Sequence, residues 1–433
     1  MATSNRTVAL HVPVLARVEG EGALHLRIRD GQIEDLRLQI YEPPRLFEKF
    51  LEGRSYQELP DLVARICGIC PVAYQMSAVN AVESLTGTDP GPWVRAMRRL
   101  MYCGEWIESH ALHIHLLAAP DFFGYDSAIA MAKDHPHIIR RGMRLQGLGN
   151  EMIRLLGARS VNPVGVRMGG FHRAPSVRDA TALKVEIEDA LQDAEDLVTW
   201  CAGITVPEQN HDMSLLSLRE PETYPILTGD IACNSGQSFA VSEYDQHIVE
   251  DQVPGSTALF SLLDGQPYLV GPLARLNQNL DLLPESVRAQ AVKTGIDWPS
   301  GNMFHSMTAR SIEILYAMTE AIRILENYGE PARASVPVQL RAGVGYGATE
   351  APRGLLWHRY ELDGQGLILK ARIIPPTSQN QARIQQDLQQ SLTAFGLDRP
   401  DQELQLHCEQ VIRNYDPCIS CATHFLTLST ERL

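Results

Sequence analysis

Alternation of apolar and polar positions dominates the first forty residues. Between Val8 and Ile40 the chain keeps the two-residue rhythm of a half-buried strand, in Ala23-Leu24-His25-Leu26-Arg27-Ile28 and again from Ile33 to Leu38. Asp30-Gly31 between these runs predicts a tight hairpin. The rhythm then changes. Pro44 to about Thr86 reads as helices around a loop, and Trp93–Ala119 and His137–Leu156 repeat their apolar residues every three or four positions, which predicts long helices. Val177–Ala202 is another, with Val177, Ala180, Leu183, Val185, Ile187, Leu191 and Ala194 as its inward stripe.

Residues 204–285 are mixed, with a strand-like Tyr268-Leu269-Val270 before Gly271-Pro272. Helical spacing returns from Met307 to Leu325, and strands are predicted at Trp357–Leu362 and Gly366–Pro375. A helix from Ile384 to Phe395, stopped by Gly396, and another from Asp401 to Val411 complete the pattern. The class is mixed α+β, mainly helical. No repeat or long linker divides residues 1–433, so a single domain is expected.

Composition narrows the function. Against 52 Asp and Glu stand 38 Lys and Arg, a formal charge of −14, which disfavours an extended nucleic-acid surface. No apolar run approaches the ~18 residues of a membrane span, and Met1–Val12 lacks the apolar core of a secretory signal. The chain reads as soluble and cytoplasmic.

Eight cysteines are too few for a disulfide scaffold. Cys103, Cys201, Cys233 and Cys408 stand singly and are expected to pack as small buried hydrophobes. Cys67 and Cys70 form one Cys-x-x-Cys pair, and Cys418 and Cys421 form another. Two such pairs can bring four thiolates to one site, commonly a structural zinc. Here the pairs are 418 − 70 = 348 residues apart, whereas zinc ribbons separate theirs by about 15–20. Asp416 precedes the second pair and His424 follows it, polar neighbours that point to chemistry.

Arg65-Ile66-Cys67-Gly68-Ile69-Cys70 and Asp416-Pro417-Cys418-Ile419-Ser420-Cys421-Ala422-Thr423-His424 resemble the two nickel-binding signatures of nickel–iron hydrogenase large subunits. Arg17-Val18-Glu19-Gly20, Phe47-Glu48-Lys49, the run from Tyr268 to Arg275, and Ala351-Pro352-Arg353-Gly354 match in the family's order, so the resemblance spans nearly the whole chain. It looks closest to the cytoplasmic NAD(P)-linked bidirectional branch, the sulfhydrogenases. The implied fold is the large-subunit fold, a central helix bundle with peripheral β-sheets. The implied activity is reversible heterolytic cleavage of H2.

The resemblance also implies roles. Cys67 and Cys418 would be terminal nickel ligands, and Cys70 and Cys421 would bridge nickel to an iron carrying carbonyl and cyanide ligands. Soft thiolates suit both metals. Cys418 would take the proton first and Glu19 would carry it onward; outside its motif, Glu19 would read as a solvated strand-end carboxylate. Arg353 would reach over the open site and hydrogen-bond a cyanide, fixed by Asp416 and Asp121. Thr377 would donate to the other cyanide. Glu48 and His424 would hold a magnesium or iron ion near the C-terminus. His110, His113 and His115 are expected to pack inside the bundle.

Two features depart from or extend the pattern. Tyr74 stands where the family commonly has a histidine near the first signature. Nine residues follow His424, as in a precursor awaiting a maturation protease and nickel-insertion proteins. With no Fe–S, flavin or dinucleotide motif in this chain, those cofactors are expected in partners: an Fe–S small subunit and flavin-containing, NAD(P)-binding diaphorase subunits. Two other readings are a hydrogen-sensing regulatory hydrogenase and a metal-stabilised scaffold subunit related to respiratory complex I; the complex I relatives lack the four cysteines present here.

Overall fold

A computed structural model describes residues 7–423; His424 and the nine residues after it lie outside the described residues. The N-terminal hairpin forms as the alternation predicts. Strands β1 (Val8–Val12), β2 (Gly22–Arg29) and β3 (Gln32–Ile40) make an antiparallel sheet in that order. Asp30 and Gly31 turn the chain with φ of 52° and 74°, the left-handed pair that a two-residue hairpin requires.

The principal helices are α1 (Pro71–Thr86), α2 (Gly91–Leu112), α3 (Pro136–Gly157), α4 (Val177–Ala202), α5 (Pro272–Asn279), α6 (Ser306–Glu326), α7 (Pro376–Phe395) and α8 (Asp401–Asn414). Helix α2 crosses α3 at bare backbone: a Cβ on Gly104 would lie 2.9 Å from the Gly149 carbonyl oxygen. Helix α6 packs on both α2 and α4. Helix α1 lies on a second antiparallel sheet of β4 (Gly343–Ala351), β5 (Gly354–Leu362) and β6 (Ile368–Ile374). There Gly345 and Gly347 face the Ala81 and Ser77 carbonyls, which a Cβ would strike. The largest apolar cluster runs through α1, α2, α3, α4 and α6 and contains Cys67, Cys70, Cys418 and Cys421.

Several elements differ from the sequence reading. The helix expected to run to Ala119 is α-helical only to Leu112; His113–Ala118 is a π-helical stretch, and a short turn from Ala119 to Phe122 carries Asp121. Such bulges commonly mark functional sites. Helix α7 starts at Pro376, eight residues before the expected Ile384, because a proline at the first helical position is a start. On α4, Val177 and Val185 are half exposed, since Leu183, Ile187, Ala190 and Ala194 carry the inward face. Tyr268–Val270 is extended but pairs only through the Leu269–Leu215 bridge, and β4 was not foreseen. Among the described residues, no helix is long and apolar enough to cross a membrane.

Candidate metal centre

Opposite ends of the chain build one site. Cys67 and Cys70 lie on the approach to α1, which Cys70 caps, and Cys418 caps a helical turn from Ile419 to Ala422 beyond α8. All four sulfurs lie within 4.8 Å of one another. Cys418 Sγ is 3.6 Å from Cys67 Sγ and 2.7 Å from Cys421 Sγ. The Ile69 and Cys70 amides donate to Cys67 Sγ at 3.4 and 3.3 Å. Contacts with the Cys418, Cys421 and Cys70 thiols put the Cys67 pKa well below an ordinary thiol's, whereas contacts with Cys421 and Cys67 push that of Cys418 well above.

Cys418 also meets a carboxylate: Glu19 Oε2 lies 3.1 Å from its Sγ. The N-terminal motif makes the contact possible. Glu19 bridges to Cys418 in parallel fashion, and its carbonyl accepts from the Ile419 amide at 2.9 Å. Gly20, at φ +88°, lets the strands touch; a Cβ there would stand 2.7 Å from Ile419 Cβ. Ser420 donates its amide to Glu19 Oε2 at 3.1 Å and its hydroxyl to Glu42 Oε2 at 3.0 Å. Glu42, a residue the sequence reading did not single out, is thus linked to Glu19 through Ser420.

Arg353 sits at the tip of the β4–β5 hairpin, in the two-residue turn between Ala351 and Gly354. Its guanidinium is buried and pairs with Asp416 (Nε–Oδ2 3.1 Å, Nη2–Oδ1 3.2 Å), while Nε donates to the Asp416 carbonyl at 2.6 Å. Burial opposes its charge, yet Asp416 and the Cys418 thiolate hold its pKa well above the ordinary arginine value. Among the described residues, Nη1 is buried without a hydrogen-bond partner. Thr377, at the start of α7, accepts the Cys418 amide at 3.0 Å, so its own proton is left to donate elsewhere.

Asp121 does not share in fixing Arg353. Its carboxylate takes two bonds from Arg413 (2.7 and 3.0 Å) and pairs with Arg17. It ties the N-terminal motif to α8, because the π-helical stretch aims it at those two cations. Glu48 accepts the Ile373 amide at 2.7 Å and lines a small cavity of about 40 Å³ with Ser420, Cys421 and Thr423; its expected co-ligand His424 is outside the described residues. His110, His113 and His115 bond to Glu313, the Arg413 carbonyl and the Ala111 carbonyl, so they converge on no common ion. The Tyr74 hydroxyl is buried without a hydrogen-bond partner, and its ring packs 5.7 Å from that of His358. The four lone cysteines are buried and free.

Two carboxylates escaped the sequence reading. Glu105, on α2, accepts the Val72 and Ala73 amides at 2.6 and 3.0 Å, closing the N-terminus of α1 just past Cys70. Glu108, one turn on, is pushed up to about 7 by burial against the pull of Arg353. Both face the cluster from a helix whose apolar periodicity masks them.

The donor set suits more than a structural zinc. A closed zinc site needs four thiolates and nothing else. Here, among the described residues, a buried guanidinium N–H and a hydroxyl proton lack protein acceptors, and a carboxylate touches one sulfur. Such surroundings fit a metal group that brings small acceptor ligands of its own.

Comparison with known proteins gives the family. Residues 45–141 and 254–424 match the family model described as nickel-dependent hydrogenase. The alpha subunit of sulfhydrogenase 1 from Pyrococcus furiosus is 32% identical over 428 residues, covering 97% of this chain and 99% of that protein. The HoxS beta subunit of the NAD-reducing hydrogenase of Cupriavidus necator is 25% identical, covering 96% and 95%. A crystal structure of an NAD+-reducing NiFe-hydrogenase in the H2-reduced state superposes with a TM-score of 0.89 at 30% identity, covering 97% of this chain and all of that one.

Proposed function

Since the chain belongs to the nickel-dependent hydrogenase family as a catalytic subunit, we propose that it cleaves and forms H2 reversibly at a nickel–iron centre held by Cys67, Cys70, Cys418 and Cys421. The observation that carries this reading is the four-sulfur cluster with Glu19 against one sulfur and the free Nη1 of Arg353 beside it.

When bound, the nickel–iron group supplies an electrophile that polarises H–H and an outlet for two electrons. Cys67 and Cys418 would hold nickel as terminal ligands, and Cys70 and Cys421 would be shared between nickel and iron. Cys418 holds the departing proton at Sγ, and Glu19 Oε2 receives it across 3.1 Å. From there the way out passes Ser420 and Glu42. Arg353 Nη1–H and Thr377 Oγ1–H would be free to donate to the iron's diatomic ligands, the arginine with permanent charge and a fixed fork. Burial keeps water away and strengthens each contact. Tyr74, protonated because burial raises its pKa well above the ordinary phenol value, stands ready to donate toward a bridging sulfur. Glu48 and His424 would hold a magnesium or iron ion, with Glu48 supplying a hard oxygen ligand.

Electrons leave through an Fe–S small subunit toward flavin and NAD(P) subunits, in keeping with the subunit names of the relatives. The chain is made as a single domain over residues 1–433 and works in the cytoplasm. Its assembly uses nickel-insertion proteins and a protease that removes the residues after His424.

The test is metal analysis and turnover of the purified complex. We expect one nickel and one iron per chain, little zinc, and H2-dependent reduction of NAD or NADP. Serine at any of the four positions should abolish both nickel retention and turnover. A full complement of zinc in active material, or a serine variant with intact nickel and activity, would overturn the assignment.

A further inference from the structure

Arg275 takes no direct part in the site described above, yet it is fully buried and every donor it has is used. Its Nε and Nη2 hold Glu313 in a fork at 2.8 and 2.7 Å. Nη1 reaches Glu350 Oε2 at 3.1 Å and the Ala351 carbonyl at 2.6 Å, and Nη2 also reaches the Pro352 carbonyl at 3.1 Å. Five N–H groups meet five acceptors, the full capacity of a guanidinium. Its plane lies 4.5 Å from the Trp106 ring, and Trp106 donates to the Glu350 carbonyl at 2.9 Å. Tyr224 and His110 bind the same Glu313, at 2.8 and 3.0 Å.

The two backbone acceptors matter most. Ala351 and Pro352 are the residues immediately before Arg353, so Arg275 grips the hairpin turn from which Arg353 projects. A second clamp acts on the far side: Gly271, which opens the helix carrying Arg275, lies so near that a Cβ would stand 2.8 Å from the Arg353 carbonyl oxygen. One short stretch, Gly271 to Arg275, thus holds the turn by close approach and by hydrogen bonds. A buried ion pair costs desolvation and is weak evidence for stability in itself. Aiming two of its donors at consecutive carbonyls gives it a different use.

We infer that Arg275 is a positioning residue for Arg353: it fixes the hairpin tip so that the Arg353 guanidinium faces the metal centre with Nη1 free. This rests on the reading that Arg353 serves that centre. Lysine at 275 keeps the charge but has three donors on a flexible stem and cannot satisfy five acceptors in a plane.

A double-mutant cycle on the nickel-loaded holoenzyme tests it, with Arg275→Lys, Arg353→Lys and both together. Three quantities are read: kcat for H2 oxidation, nickel per chain, and infrared stretching bands of the iron's diatomic ligands. Arg275→Lys should keep nickel, lower kcat about tenfold or more with little change in KM, and shift the bands as Arg353→Lys does. The double variant should match Arg353→Lys within about twofold, because a residue acting through another adds nothing once that one is gone. Multiplying losses, or unchanged bands and kcat in Arg275→Lys, would overturn the inference. Should Arg275→Lys not fold, Glu350→Gln loosens the same Nη1 more gently and runs through the same cycle with the same criteria. If Arg353→Lys alone leaves H2 oxidation intact, the site reading fails instead.

Discussion

Glu105 offers a sharp test of how the first thiolate pair is held. Helix α1 has no side-chain cap of its own: Cys70 occupies the cap position and Pro71 the first turn. The Val72 and Ala73 amides would go unpaired in a dry interior but for the two Glu105 oxygens at 2.6 and 3.0 Å. Glu105→Ala removes both acceptors. A buried amide left without a partner costs about 1–3 kcal/mol, so the two together cost about 2–6 kcal/mol. At about 2.1 cal/mol/K per residue, 433 residues carry an unfolding entropy of about 0.9 kcal/mol/K. The midpoint should therefore fall by about 2–7 °C. Glu105→Gln keeps one carbonyl oxygen and should lose about half as much. Because Cys70 is itself the cap, fraying there displaces its sulfur, and nickel per chain should fall in the order wild type, Gln, Ala. Differential scanning calorimetry with metal analysis reads both quantities. A Glu105→Ala enzyme melting within about 1 °C of wild type with full nickel would refute the reasoning, as would Gln behaving like Ala.

Other expectations are simpler to state. Glu19→Gln can still accept the Ser420 amide but carries no proton, so metal content should hold while turnover falls at least a hundredfold; near-normal H/D exchange would remove Glu19 from the proton route. Burial pushes the Glu350 carboxyl from 4.5 up to about 7, so the folded chain keeps a proton that the unfolded chain has released, and this group's contribution to stability declines as pH rises across that window. The midpoint of Glu350→Gln relative to wild type should accordingly climb between about pH 5 and 7 and then level; a flat difference would mean that Glu350 is ionised throughout. Intact-mass measurement of active enzyme should find the chain ending at His424, and full-length chain in the active fraction would rule out removal of the tail.

The sequence made some parts of this plain and hid others for physical reasons. The Asp30-Gly31 turn, the helices and the two cysteine pairs depend on local periodicity or spacing, and all three are visible in the chain. Strand β4 was invisible because Gly343, Gly345 and Gly347 replace the side chains that would have shown alternation; α1 lies too close for any. Asp121 was legible as an acid at a helix end, with a role only the resemblance implied, but its partner depends on a π-helical stretch that no local pattern announces. Glu105 and Arg275 act across 32 and 76 residues respectively, and nothing near either one names its partner. The run from Tyr268 to Arg275 did stand out beforehand, and its last residue proves to be the one that grips the Arg353 turn.

The pairing of Glu19 with Cys418 has a consequence for biosynthesis. At about 5–20 residues per second, a ribosome needs roughly 17–70 s to add the 418 − 70 = 348 residues between Cys70 and Cys418. For that interval one half of the ligand set, with its helix and Glu105, exists without the other. Once residues 418–423 settle beside Glu19, the four cysteine residues are 1–7% exposed and little direct entry from solvent is left. Translation order therefore sets a loading window: nickel has to arrive after Cys418 emerges and before that last segment docks.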